Sequence, residues 1–375
     1  MKIAIICEYF PKSSDMEVRG GVEARTYYVG RHLAKKHELT VYSALEEGMD
    51  KESEFDGIRV VRVKPEIIYS QKSSLAKRLA FMRNAAKEVR TYGADLVDGA
   101  SVLGYPPAWW SGCGVRTITY HDVWCGKWVH NIGVSGVFGE LMERYTLTRD
   151  WDQIIAVSKY TRDNLIRFGV NDEKVTVAEN GIDLGEIEGV DAEKFEHPTI
   201  CAVSRLVSYK RIEDLIDAAH MLKKDVKDLR VKIVGTGPMM QTLKSRAARL
   251  GVGDVVEFVG HVEKHSEVLR IMKSSHVFCQ PSVVEGFGIS VVEAMALKTP
   301  YVASDIPAMR EATSGGVGGI LYTPKDTAEL AESLKKALEG GVIGGSDEIG
   351  DYDWKVRAKK VEDAYEQLIN KHARQ

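Results

Sequence analysis

Two glutamates eight residues apart, Glu285 and Glu293, bracket the stretch Glu285-Gly286-Phe287-Gly288-Ile289-Ser290-Val291-Val292-Glu293. Each carboxylate can accept from a pair of sugar hydroxyls. The glycines allow close approach, and a helix beginning near Gly288 offers free amides to an anion. The plain alternative is an acid complementing a helix dipole plus a solvated mid-helix glutamate. A second group, Ser204-Arg205-Leu206-Val207-Ser208-Tyr209-Lys210-Arg211, holds Arg205 and Lys210. Two fixed cations at a strand end suit a diphosphate, with Arg able to bind two oxygens at once; either alone reads as a solvated loop charge. A third, Gly20-Gly21-Val22-Glu23, opens a helix and lets a ligand near its amides. The fourth is His121-Asp122, just past a strand, where a His can bind a hydroxyl or stabilise charge.

Other motifs carry less. Gly235-Thr236-Gly237-Pro238 has Met240 where a dinucleotide fingerprint needs its third glycine, and reads as a strand-to-helix turn. Asp351-Tyr352-Asp353 has a metal-binding spacing, but it follows no strand and precedes the last helix, where Asp353 suits an N-cap. H-E-x-x-H, the G-x-S-x-G elbow and the P-loop signature are absent from the sequence. No cofactor and no metal is expected.

The elements that must position these groups alternate. Strands are expected at Lys2–Cys7, Leu39–Ser43, Ile58–Val63, Asp95–Gly99, Arg116–Tyr120, Gln153–Val157 and Lys174–Val177, most of them continuous Ile/Val runs of the kind buried on both faces. Helical periodicity fills Val22–Lys36, Leu75–Tyr92 and Ser158–Phe168. The pattern restarts with strands at Thr199–Val203, Arg230–Val234, Val255–Val259, His276–Gln280, Pro300–Ala303 and Ile320–Tyr322. Strand–helix alternation of this kind builds parallel sheets with right-handed crossovers. The fold class is therefore α/β, with two Rossmann-like domains facing across a cleft. The expected division is 1–182, a linker at 183–198, and 199–350, followed by an amphipathic helix at 354–371.

Composition sets limits. The chain has 375 residues, 44% hydrophobic and 28% charged, with a net charge of −3. That balance lacks the basic footprint of a dedicated nucleic-acid binder. Five scattered cysteines fit reduced thiols, and no signal peptide or long apolar span is evident, so a cytoplasmic location is expected. One local exception is residues 70–92, where Lys72, Lys77, Arg78, Arg83, Lys87 and Arg90 stand against Glu88 alone. Leu75, Leu79, Met82, Ala86 and Val89 form an apolar stripe on the same helix. Its cations are either solvated or meet an anionic membrane or a phosphate-bearing acceptor, which makes peripheral membrane contact through residues 72–90 an open expectation.

Taken in order, Gly20-Gly21-Val22-Glu23, Ala156-Val157-Ser158, Asn180-Gly181-Ile182-Asp183, Ser204-Arg205 with Lys210, Gly235-Thr236-Gly237-Pro238 and Glu285 through Glu293 resemble the retaining glycosyltransferases of family 4, with their two-Rossmann GT-B fold and E-x7-E motif. The resemblance implies that Arg205 and Lys210 bind a donor diphosphate. It implies that Glu285, with backbone amides near Phe287, Gly288 and Ile289, binds the transferred sugar, and that Glu293 binds the ribose. Gly21 would lie near the phosphates, His121 would face the donor sugar, Val262 would meet the base through its backbone, and the final helix, 354–371, would cross back onto the first domain. The implied catalytic set is Glu285, His121, Arg205 and Lys210. The implied reaction is retaining, metal-independent transfer from a nucleoside-diphosphate sugar to a sugar, lipid or small-molecule acceptor. A nucleotide-sugar epimerase of the same architecture and a non-catalytic sugar-nucleotide binder are the alternatives. Two departures stand out: Arg211 where many members carry Gly, and Ser304 to Glu311 without the usual glycines.

Overall fold

Continuous apolar runs build the first sheet. β1 (Lys2–Ile6) is buried at every residue after Lys2. It is followed by β2 (Glu38–Leu45), β3 (Glu52–Phe55), β4 (Ile58–Glu66), β5 (Leu96–Gly99), β6 (Val115–Tyr120), β7 (Gln153–Ala156) and β8 (Val175–Val177). The computed structural model describes residues 1–13, 20–67 and 74–374. The strand order is β3-β4-β2-β1-β5-β6-β7-β8, and all neighbours are parallel except β3 and β4. That antiparallel hairpin was not expected from the sequence. Its strand Glu-Ser-Glu-Phe is short, polar and at a sheet edge, and it turns at Asp56-Gly57, both with positive φ.

The second sheet comprises β9 (Thr199–Val203), β10 (Arg230–Val234), β11 (Val256–Gly260), β12 (Val277–Gln280), β13 (Tyr301–Ser304) and β14 (Gly319–Tyr322). Its order, β11-β10-β9-β12-β13-β14, is wholly parallel. In both sheets the chain reverses its direction of progress beside the first strand, β1 in one and β9 in the other. Ligands of open α/β sheets bind outside the carboxyl ends of strands at such a point. Here β9 and β12 are neighbours there, and their carboxyl ends carry Ser204-Arg205 and Gln280.

The chain divides into two units. One is Met1–Asn180 with the C-terminal helix Trp354–His372, and the other is Gly181–Asp353. Residues 183–198, expected as a linker, lie within the second unit. They include the short helix Leu184–Glu188, started by the Asp183 side chain accepting from the Glu186 amide, and they bury Ile187 and Val190 in that unit's core.

The C-terminal helix is tied into the first unit by specific contacts. Trp354 stacks on Tyr28 with ring centroids 5.4 Å apart. The Tyr365 hydroxyl donates to buried Asp98 over 2.7 Å, and Arg357 and Lys360 pair with Glu179. Residues 105–110 and 136–147 are helices not expected from the sequence. The helix Leu75–Tyr92 begins as expected, with Ser74 capping through the Lys77 amide, and ends at Gly93 in the left-handed conformation. Its buried face is Phe81, Met82, Ala85, Ala86 and Val89, whereas Leu75, expected in the stripe, is 49% exposed at the first turn.

Candidate functional site

In the second unit, the chain leaving β9 runs through Ser204 and exposed Arg205 to buried Leu206. The Leu206 amide donates to the Thr236 carbonyl over 2.9 Å. A Cβ at Gly235 would strike the Ser204 carbonyl oxygen, and one at Gly237 the Leu206 carbonyl oxygen. The Gly235–Pro238 turn is thus glycine-rich because the arginine-bearing strand end packs on it. A single 3-10 turn, Ser208–Lys210, then presents Lys210.

Arg211 follows with φ +53° and ψ +35°, the left-handed region. This is the position where a glycine is usual in the resembling family, and the backbone conformation supplies the reason. The arginine is held there by a bidentate pair with Asp214, Nε to Oδ2 at 2.9 Å and a terminal nitrogen to Oδ1 at 2.5 Å, and by Glu213 at 3.1 Å. The Asp214 side chain is 3% exposed, so the guanidinium also neutralises a buried carboxylate.

β12 delivers the partner group. Its last residue, Gln280, is buried and donates from Nε2 to Glu285 Oε1 over 2.7 Å. Lys210 Nζ meets the same oxygen at 2.5 Å, with the two side chains 17% and 10% exposed. Lys210 and Gln280 therefore converge on the Glu285 carboxylate largely out of water, where charge–charge attraction is stronger than at a surface. Gln280 Oε1 is buried with no hydrogen-bond partner among the described residues.

Gly288 opens the helix Ile289–Ala296 with φ +104° and no side-chain cap; a Cβ there would lie 2.6 Å from Met309 Cε. Only glycine satisfies both demands. Phe287, just before it, is buried against Tyr352. Glu293 lies on the same helix, 7% exposed, and its Oε1 is 3.0 Å from His265 Nε2. The other ring nitrogen of His265 is 2.9 Å from Glu186 Oε2. Burial alone would lower the His265 pKa, but Glu293 and Glu186 outweigh it and raise the value to about 10. Val262, two residues beyond β11, packs its side chain on the core cluster containing Phe287 and Val291.

Gly21 and His121 belong to the first unit. Gly20, in extended conformation, precedes the helix Gly21–Leu33, which has no side-chain cap. Arg25 on that helix is 3% exposed and donates to the Glu179 carbonyl and to Asn180 Oδ1; its second terminal nitrogen has no hydrogen-bond partner among the described residues. His121, past β6, has Nε2 3.1 Å from the Ala100 carbonyl, so that nitrogen carries the proton. Burial, then the Arg25 charge, hold its pKa down at about 3, so the ring is neutral with Nδ1 left as an acceptor.

Among the described residues, one cluster brings three potential metal ligands together: His37, Glu362 and Glu366. The Glu362 carboxylate is already met there by Lys36 at 3.2 Å and Lys359 at 2.8 Å, which a cation would have to displace. Asp351 and Asp353 are not part of it. On the basic helix, Lys77, Arg83 and Lys87 are exposed, whereas Arg90 is occupied by the Trp110 and Ser111 carbonyls; Lys72 lies outside the described residues. No helix among the described residues is long and apolar enough to cross a membrane.

Gln280, His265 and Glu186 were not singled out from the sequence. Gln280 had a local signal, a polar residue ending an apolar strand. The other two are brought to Glu293 only by tertiary packing.

Each unit is a Rossmann-like parallel sheet, and the second carries cations and carboxylates just past the ends of its strands. The family model for Glycosyltransferase Family 4 matches residues 19–186, and that for Glycosyl transferases group 1 matches residues 186–352. The chain belongs to the family 4-type, group 1 glycosyltransferases. A glycogen synthase of Mycobacterium tuberculosis is 29% identical over 225 residues, 59% of this chain and 54% of the relative. The chain spans about half the length of the first such curated relatives. Sucrose-phosphate synthase from Thermosynechococcus elongatus has the same fold, with a TM-score of 0.80 at 19% identity, covering 98% of this chain and 99% of that one. Anabaena Alr3699/HepE in complex with UDP and glucose matches with a TM-score of 0.68 at 19% identity, covering 100% of this chain and 98% of that one.

Proposed function

We propose that the chain transfers a sugar from a nucleoside-diphosphate sugar to an acceptor hydroxyl, with retention at the anomeric carbon and without a catalytic metal ion. The observation that carries this reading is the convergence of Lys210, Gln280 and Glu285 where β9 and β12 end side by side. The UDP and glucose held by the structurally similar Anabaena protein support a donor of this class.

In the proposed reaction, the bond between the anomeric carbon and the diphosphate oxygen breaks, and the diphosphate keeps the electron pair. Lys210 and Arg205 take up that developing negative charge, aided by the amides that open the helix at Gly288. Lys210 leaves Glu285 to do so, and the freed carboxylate accepts from hydroxyls of the transferred sugar. The acceptor oxygen forms the new bond on the face the diphosphate leaves, and its proton passes to a phosphate oxygen. Fixed cations act in place of a divalent ion.

The test is transfer or slow hydrolysis measured with UDP-, ADP- and GDP-sugars before and after exhaustive chelation. The reading expects turnover of at least one donor and no loss with EDTA. Loss on chelation that Mg²⁺ or Mn²⁺ restores would overturn metal independence. Formation of an epimeric sugar nucleotide with no acceptor present would favour the epimerase instead.

A further inference from the structure

His265 is the first residue of the helix His265–Ser274. Its two ring nitrogens face two different carboxylates, Glu186 Oε2 at 2.9 Å and Glu293 Oε1 at 3.0 Å. An ionised carboxylate oxygen can only accept, so both nitrogens must donate and the ring is an imidazolium. A cation at a helix N-terminus works against the helix dipole. The charge is therefore held in place by the carboxylates and not by any benefit to its own helix.

Glu186 comes from the helix Leu184–Glu188 and Glu293 from the helix Ile289–Ala296, so the imidazolium joins three elements. The Glu293 side chain is 9% exposed. Without a counter-charge a carboxylate so placed would be costly to keep ionised, and its torsions would have to be ordered by the ligand. With Oε1 anchored, the second oxygen and the remaining lone pair of Oε1 have a fixed direction. Two acceptors in fixed directions on one carboxylate match the vicinal hydroxyls of a ribose.

We propose that His265, backed by Glu186, is a positioning residue that sets Glu293 for the ribose diol of the nucleotide and so makes the protein select ribonucleotides over deoxyribonucleotides. This rests on the reading of the second unit as the nucleoside-diphosphate unit. Glu293 is the group that touches the ligand, and His265 and Glu186 act through it.

The experiment is calorimetric titration of the full chain with UDP, ADP and GDP and with their 2′,3′-dideoxy counterparts. It compares wild type with His265→Ala, Glu186→Gln and Glu293→Ala. Wild type should prefer the ribose form of the base it binds. His265→Ala should reduce that preference by about tenfold, roughly the worth of one charge-assisted hydrogen bond. Affinity for the dideoxy form should stay within about twofold, which a general structural defect would not allow. Glu186→Gln, which keeps the shape of the side chain, should give a smaller loss in the same direction. In turnover, the donor KM should rise in both variants with kcat little changed. Undiminished ribose preference in both His265→Ala and Glu186→Gln, with preference lost in Glu293→Ala, would overturn this inference alone. Absence of any nucleoside diphosphate binding by wild type would overturn the functional reading and this inference with it.

Discussion

Glu285 and Glu293 stand at either end of one short segment, yet the fold treats them differently. Glu285 lies in the loop after β12, and its partners are a lysine and a glutamine amide. Glu293 lies within a helix, and its partner is an imidazolium pinned on its far side by a second carboxylate. The lysine has another task in the proposed reaction, because a diphosphate competes for it. The imidazolium has none. In the proposed reaction one carboxylate is therefore exchangeable, changing partners when donor binds, and the other is fixed before ligand arrives. A group that acts at the reacting sugar gains from the first arrangement, and a group that only recognises gains from the second.

The largest effect that separates them is on turnover. Glu285→Ala should lower kcat for transfer by about tenfold to a hundredfold, the equivalent of ~1.5–3 kcal/mol of charged hydrogen bonding, while nucleoside diphosphate affinity changes little. Loss of binding with normal turnover at saturating donor would reverse the roles given to the two glutamates.

A smaller effect lies in the pH dependence of stability. The His265 pKa, raised to about 10 from 6.5 by Glu293 and Glu186 against burial, contributes stability in full below about pH 6.5. That contribution fades as pH rises towards 10. His121 is the opposite case in the other unit: burial and Arg25 depress it to about 3, so its contribution is complete above about pH 6.5 and fades as pH falls towards 3. Denaturant midpoints followed across pH should lose part of their alkaline slope in His265→Gln and part of their acid slope in His121→Gln. Unchanged slopes in His265→Gln would mean the ring is not held as a cation.

Much of this was legible in the sequence, for reasons that differ by element. The strands could be read because they are buried on both faces and so are continuously apolar, as in β1 and β9. β3 escaped because it is polar and marginal, although Asp56-Gly57 carried a hairpin signal. The helix 136–147 escaped because Val137 and Leu141 are exposed, which breaks the stripe that periodicity detects. In the site, residue types were readable but pairings were not. Lys210 and Glu285 are 75 positions apart, and His265 and Glu186 are 79 apart. Nothing local to His265 distinguishes it from the other histidines; only the packing of three helices does. Arg211 illustrates the converse. A departure from the family pattern at that position becomes intelligible only once its positive φ and its pairing with Asp214 are seen.

The central claim is that the strand-end cations of the second unit hold a diphosphate. Titration calorimetry with UDP, ADP and GDP, set against the matching free nucleosides, tests it most directly in wild type, Arg205→Ala and Lys210→Ala. The account predicts that each substitution weakens binding of the preferred diphosphate by about tenfold or more, with nucleoside binding unaffected. Diphosphate affinity equal to wild type in both variants would contradict it.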